Sequence, residues 1–217
     1  MAKEPAKQSG YKGTSREAYQ AGAASGSAGG GGSTGKTEQG YTNVMKKNIL
    51  SAEQGIRRNR DESAFVYDSS GRLVGTAQGK GNSVSLASVN IPKDAIITHN
   101  HPLSIGKTGI RSIGNSFSRA DILTAVANNA KEIRAVTPTY TFSVKRPANG
   151  WGDITKIDAA IKRANKAVQK EGQAYVNKAR SWKSGDTRAE RATVVHTHAV
   201  MKKLSKQFGW NYTKKKG

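Results

Sequence analysis

The sequence predicts an α+β fold, a sheet with helices packed on it. Three observations lead there. Short runs rich in β-branched and aromatic residues, separated by turn residues, lie between residues 62 and 98. A second pair of such runs brackets Thr137-Pro138-Thr139. Helical periodicity precedes the first group, recurs between the two, and fills the chain beyond Gly150.

Met1 to about Gly40 is rich in Gly, Ala, Ser, Lys and Gln. It cannot bury enough apolar surface to offset the entropy of ordering, so it reads as a disordered Gly/Ser-rich tail. Within it, Gly30 to Thr37 formally matches the phosphate-binding pattern G-x-x-x-x-G-K-T. That pattern needs a buried strand before it, and residues 21–29 offer only Ala, Gly and Ser. It reads as linker. Residues 41–150 make the expected central domain, and 151–217 a basic helical extension packed on it.

From Thr42 to Arg58, Val44, Met45, Ile49, Leu50 and Ile56 fall near one helical stripe, with Asn43 placed to cap it. Glu62 to Tyr67 reads as a strand, Asp68-Ser69-Ser70-Gly71 as a hairpin turn, and Arg72 to Ala77 as its antiparallel return. Ser83 to Leu86 alternates like a third strand, and 94–98 is a fourth. A helix is expected from Asp121 to about Ala130, with Ile122, Leu123, Val126 and Ala127 inward and Ser118 as N-cap. Lys131 to Val136 and Tyr140 to Val144 form a second hairpin. Two basic helices follow, from about Asp153 to Trp182 and from Thr187 to Phe208, broken at Lys183-Ser184-Gly185-Asp186.

There is no cysteine, so a metal site would have to use His and carboxylate ligands. No apolar run approaches the roughly 20 residues that span a bilayer, and no apolar core follows Lys3 and Lys7 as in a secretory signal. No membrane partner is expected. The charge is strongly positive, 36 Lys plus Arg against 15 Asp plus Glu, a net of +21. From Lys145 onward 18 basic residues face 5 acidic ones. Either this is a solvated basic face or it touches a polyanion, most often nucleic acid. In the second case Lys202, Lys203, Lys206, Lys214, Lys215 and Lys216 are the candidate contacts, the last three in a solvated tail. Trp151, Trp182, Trp210, Tyr175 and Tyr212, interleaved with these cations, could stack on bases but at helical spacing read first as core.

The chemistry concentrates in Thr98-His99-Asn100-His101-Pro102 and Ser118-Arg119-Ala120-Asp121. At the end of a strand alternate side chains share a face, so His99 and His101 project together. Two imidazoles side by side are half of a tetrahedral zinc site. Asp121, in the first turn of a helix, serves either as a dipole-favoured acid or as a third ligand, leaving a fourth position for water. His196 and His198 repeat the spacing inside a helix, where they diverge by about 200° and cannot share an ion.

His-Asn-His-Pro followed by Ser-x-x-Asp resembles the signature of the JAB/MPN (JAMM) metallohydrolases, in the form of the RadC-type branch. It is most similar to the JAB-like C-terminal domains of phage head-morphogenesis (minor capsid) proteins. The likeness runs through Ile97–Pro102, Ser116–Ile122, Lys131–Pro138 and Tyr140–Pro147. The resemblance implies a cytidine-deaminase-like central mixed sheet flanked by helices. It also implies one zinc ion per chain on His99, His101 and Asp121, with Glu62 as general base and Ser118 stabilising the oxyanion. Each has a plainer alternative: Glu62 as a strand-end acid beside Arg58 or Arg60, with Asp61 the fallback base, and Ser118 as a helix cap only.

The expected activity is therefore peptidase or isopeptidase hydrolysis of a protein or peptide substrate. The phage likeness points to capsid or tail partners and to the bacterial cytoplasm or the virion. Against it stand a virion structural or DNA-associated protein that keeps the fold without catalysis, and a metal-dependent nuclease. The contiguous His-Asn-His is not the nuclease motif of that name, which spreads over a longer ββα unit. The connection from His101 to Ser118 is longer than the family's compact pattern. It reads as a lid or as an insertion that displaces Asp121.

Overall fold

A computed structural model describes residues 43–102, 115–180 and 187–217, without the side chains of Val44 and of residues 170–194. The Gly/Ser-rich segment, the phosphate-loop-like string, Trp182 and the side chain of Tyr175 lie outside the described residues. So does most of the connection from His101 to Ser118.

The fold is mixed α and β: four helices and a six-stranded, mostly antiparallel sheet among the described residues. In chain order the elements are α1 (Asn43–Ile56), β1 (Ser63–Tyr67), β2 (Leu73–Gln78), β3 (Ile96–Asn100), α2 (Arg119–Ala127), β4 (Glu132–Val136) and β5 (Tyr140–Lys145). They are followed by α3 (Ile154–Arg180), α4 (Thr187–Phe208) and β6 (Asn211–Lys216). The sheet order is β2-β1-β3-β4-β5-β6, and only β3 and β4 run parallel. A parallel neighbour needs a crossover, which α2 supplies between them.

The β1–β2 turn is built by local chemistry. In the β1–β2 hairpin the Asp68 carboxylate accepts hydrogen bonds from the backbone of Ser70 and Arg72, and Gly71 takes the left-handed backbone (φ 88°) that the turn requires. On the entry to β3 and β4, Asp94 and Asn129 both adopt positive φ. Arg146 ties them together, its guanidinium contacting the Asp94 carboxylate and the Asn129 carbonyl.

The two faces of the sheet are covered differently. Alternation sends Ile97 and His99 of β3 to one side and Ile96, Thr98 and Asn100 to the other. On the first side, Ile97, Ile133, Ala135, Phe142 and Val144 meet α2, α3 and α4 through Ile122, Ile157, Ile161, Met201 and Leu204. Trp151 and Trp210 close this core edge to face, 5.4 Å between ring centroids, each indole N–H bonded to a backbone carbonyl. Both tryptophans are core residues, as their spacing suggests. Fully burying side chains of this size is worth about 1.5–3 kcal/mol each, so this face supplies most of the apolar driving force. On the second side, α1 packs Met45 and Ile49 against Tyr67 and Ile96.

Leu50, expected on the stripe with Met45, Ile49 and Ile56, is instead 54% exposed, and two expectations about the strands also fail. Ser83–Leu86 is not a strand. The chain turns back at once, with the Lys80 N–H bonded to the Ser83 carbonyl, and residues 84–91 wrap over the sheet as loop. Val89 occupies the space above Gly75, where a Cβ would lie 2.3 Å from its Cγ1, while Leu86 and Ile91 pack on the core. The alternation was real, but its apolar residues cover a core instead of pairing at an edge.

The C-terminal lysines are not a free tail either. Asn211–Lys216 is β6, paired antiparallel with β5 over Tyr140–Lys145. Tyr212 turns inward and Lys214 lies 4.0 Å from the Tyr140 ring centre. Lysines on an outermost strand are the usual guard against edge-to-edge association.

Candidate metal centre

The ladder β1–β3 sets the site. Ala64 pairs with His99 and Val66 with Ile97, so these four side chains share a face. Glu62, two residues before Ala64, falls on that same face beside His99. Its backbone is held twice over. On one side the Glu62 N–H donates to Gly81 and its carbonyl accepts from Gly79. On the other, Asn100 grips both neighbours: its Oδ1 accepts from the Ser63 N–H at 2.7 Å and its Nδ2 donates to the Asp61 carbonyl at 3.2 Å. Asn100, the residue between the two histidines, thus fastens Glu62 from the opposite face of the sheet. Sequence reading gave it no role.

His101 lies one residue past β3 but keeps the ladder, its N–H donating to the Val136 carbonyl. Asp121 arrives from α2. Ser118 caps that helix: its Oγ accepts from the Asp121 N–H, while its own N–H donates to Asp121 Oδ2 at 2.6 Å. This reciprocal cap fixes the carboxylate. The insertion alternative is overturned, because Asp121 is not displaced.

The four side chains converge. Nε2 of His99 and of His101 are 2.9 Å apart. Asp121 places Oδ1 3.6 Å from His99 Nε2 and Oδ2 3.5 Å from His101 Nε2. Glu62 Oε1 is 3.9 Å from His99 Nε2. One ligand atom from each of the four lies within 4.8 Å of the other three. Two atoms bound about 2.0–2.1 Å from one tetrahedral zinc stand about 3.3 Å apart, a value these separations bracket.

The donor chemistry fits as well. His101 Nδ1 donates to the Asn115 carbonyl at 2.7 Å, so in the neutral ring Nε2 carries a lone pair. That lone pair faces the Nε2 of His99. Such an arrangement calls for a shared proton or a cation. Without a cation, burial opposes a charged His101, but the Asp121 carboxylate beside it and the Asn115 carbonyl on Nδ1 outweigh it and push the imidazole up to about 9. Burial likewise works against an ionised Asp121, and the two imidazoles beside it, His99 first, hold it well below the usual carboxylate range. Glu62 behaves oppositely. Burial raises it above its ordinary value, against the pull of His99 and His101. The site thus pushes its two carboxyls in opposite directions.

Asp61, the fallback base, is outside this group; its carboxylate accepts from the Gly81 N–H. His196 and His198 do not join it either. His198 Nδ1 meets the Tyr212 hydroxyl and His196 Nε2 approaches Asn165. Lys202, Lys203 and Lys206 project from α4, and Lys215 and Lys216 from β6, all exposed, with Lys214 half-buried. A cleft of about 110 Å³, lined by Phe117, Ser118, Ile122, Ile161, Val200 and Leu204 among others, opens next to the α2 cap. No helix among the described residues is long and apolar enough to cross a membrane. Compared with known proteins, the chain matches no family model, no curated protein and no solved structure.

Proposed function

We propose that this chain is a zinc-dependent hydrolase of the JAB/MPN type that cuts a peptide or isopeptide bond. The observation that supports it most is the convergence of Glu62, His99, His101 and Asp121 in a buried group of metal-ligand geometry. His99, His101 and Asp121 would hold the ion, two neutral imidazoles and a carboxylate. When bound, the ion supplies Lewis acidity toward a carbonyl oxygen and toward water. Glu62, whose hold on a proton burial strengthens, takes a proton from the attacking water on its carboxylate and returns it to the departing amine. Ser118 caps α2 with an oxygen lone pair, which leaves its hydroxyl proton to donate to the developing oxyanion. The cleft beside Ser118, mostly apolar within, suits a substrate side chain next to the scissile bond.

The test is metal content by elemental analysis of the purified protein. About one zinc per chain is expected, lost in His99→Ala/His101→Ala. Turnover of a peptide or isopeptide substrate should fall by roughly 10²–10⁴ in Glu62→Gln while its metal content stays. A protein that takes up no zinc on incubation would remove the hydrolase reading. The second reading, a nucleic-acid-associated virion protein, draws on the exposed lysines of α4 and β6. It would show as DNA binding that weakens steeply with salt.

A further inference from the structure

The carbonyl that orients His101 belongs to Asn115, whose neighbour Ser116 is almost completely buried. The Ser116 N–H and hydroxyl are both held by the C-terminal part of the chain. Its N–H donates to Thr197 Oγ1 at 2.9 Å, across 81 residues of sequence. Its hydroxyl is 2.9 Å from the Tyr212 hydroxyl, across 96 residues. The Tyr212 hydroxyl is in turn 2.9 Å from His198 Nδ1. Burial, with the charges of Lys214 and Lys202, lowers His198 from its ordinary value. The Ser116 hydroxyl, the Tyr212 hydroxyl and His198 Nδ1 thus form one continuous hydrogen-bonded chain. The rings follow the same path: Phe117 lies 6.4 Å from His99 on one side and 6.4 Å from Tyr212 on the other.

We propose that Thr197, His198 and Tyr212 form a clamp on Ser116 that positions the metal ligand His101 through the Asn115 carbonyl. The proposal rests on the metal reading above. It gives α4 and β6 a task at the site although neither supplies a ligand. Satisfying a buried serine would need only one partner of any geometry. Here two elements grip its N–H and its hydroxyl separately, fixing the direction of the peptide that carries the acceptor. Partners of this kind, one shell beyond the ligands, typically account for 10–100-fold in metal affinity.

The experiment uses the full chain in three variants. Tyr212→Phe keeps the ring and deletes the hydroxyl, Thr197→Val deletes the acceptor, and Thr197→Ser restores it. Cobalt(II) is titrated into each, reading affinity and the visible d–d spectrum. Cobalt should bind roughly 10–100-fold more weakly to Tyr212→Phe and Thr197→Val, with an altered spectrum, and like wild type to Thr197→Ser. In the metal-free protein, the ring ¹⁵N resonances of His101 should move in the first two variants and not in the third. Wild-type affinity, spectrum and His101 resonances in Tyr212→Phe and Thr197→Val would overturn the clamp, even if those variants melt earlier. Should wild type itself bind neither cobalt nor zinc, the metal reading falls, and the His101 resonances still decide whether the clamp sets the ring.

Discussion

The sheet carries a buried ionisable cluster on each face, and they are opposites. Toward α1, Glu53, Arg134 and Glu132 form a nearly closed set, in which Glu132 Oε2 has no hydrogen bond and lies 3.9 Å from Lys145 Nζ. Arg134 makes a two-pronged pair with Glu53 at 2.5 and 3.0 Å and reaches Glu132 at 2.8 Å. Thr98 and Ser143 donate to the remaining lone pairs of Glu53 Oε1 and Glu132 Oε1. Toward α2, the carboxylate of Asp121 and the two imidazoles stand 3.5–3.6 Å apart, too far for good hydrogen bonds and close enough to share an ion. Burying charge is expensive on both faces. The first cluster meets that cost with an arginine that the chain itself provides. The second leaves its lone pairs pointed at a common centre.

This contrast is broken most severely at Arg134. Arg134→Met leaves Glu53 and Glu132, both almost fully buried, without the arginine that pairs them, Lys145 standing 3.9 Å from Glu132 Oε2. Removing one partner of a buried pair costs about 3–5 kcal/mol. Chemical denaturation should show that loss whether or not zinc is present. A loss below about 1 kcal/mol would mean that the cluster is not the nearly closed unit described. The second cluster should answer to metal instead. Zinc at a hundredfold excess over its Kd should stabilise wild type by about 2.7 kcal/mol. Arg134→Met should keep that increment, and His99→Ala/His101→Ala should lose all of it. An increment that survives in the double variant would place the ion elsewhere.

The open cluster was far more legible in the sequence than the closed one. His99 and His101 announce themselves because a strand end puts alternate residues on one face, and Ser118-x-x-Asp121 because a capping box has a fixed local spacing. Glu62 was reached through a family likeness, and the Ala64–His99 pairing supplies the physical reason for it. What stayed hidden depends on contacts distant in sequence. Glu53 and Arg134 are 81 residues apart, and neither spacing nor composition joins them. Ser83–Leu86 misled because alternation marks a half-buried segment whether or not it finds a partner strand. Asn211–Lys216 was missed for the opposite reason. Three consecutive lysines hide the alternation, and pairing with β5 overrides local preference.

The smallest effect discriminates best, since it asks one side chain to change stability and activity in opposite directions. Glu62 is raised from its ordinary value of 4.5, chiefly by burial, with Asp121 adding to the rise and His99 and His101 opposing it. A carboxyl raised by folding stabilises the fold below its unfolded value, and that contribution is lost as pH climbs through the folded value. At neutral pH the metal-free protein therefore bears the cost of burying this carboxyl. Glu62→Gln removes it. Urea unfolding of the metal-free proteins should find Glu62→Gln more stable than wild type at pH 7, the gain shrinking to nothing below the ordinary carboxylate range. Equal stability at both pH values would show that Glu62 is no more strained than a surface acid. The case for it as the proton carrier would then lose its physical basis. A gain at neutral pH combined with lost turnover is the signature of a residue kept for chemistry at the expense of the fold.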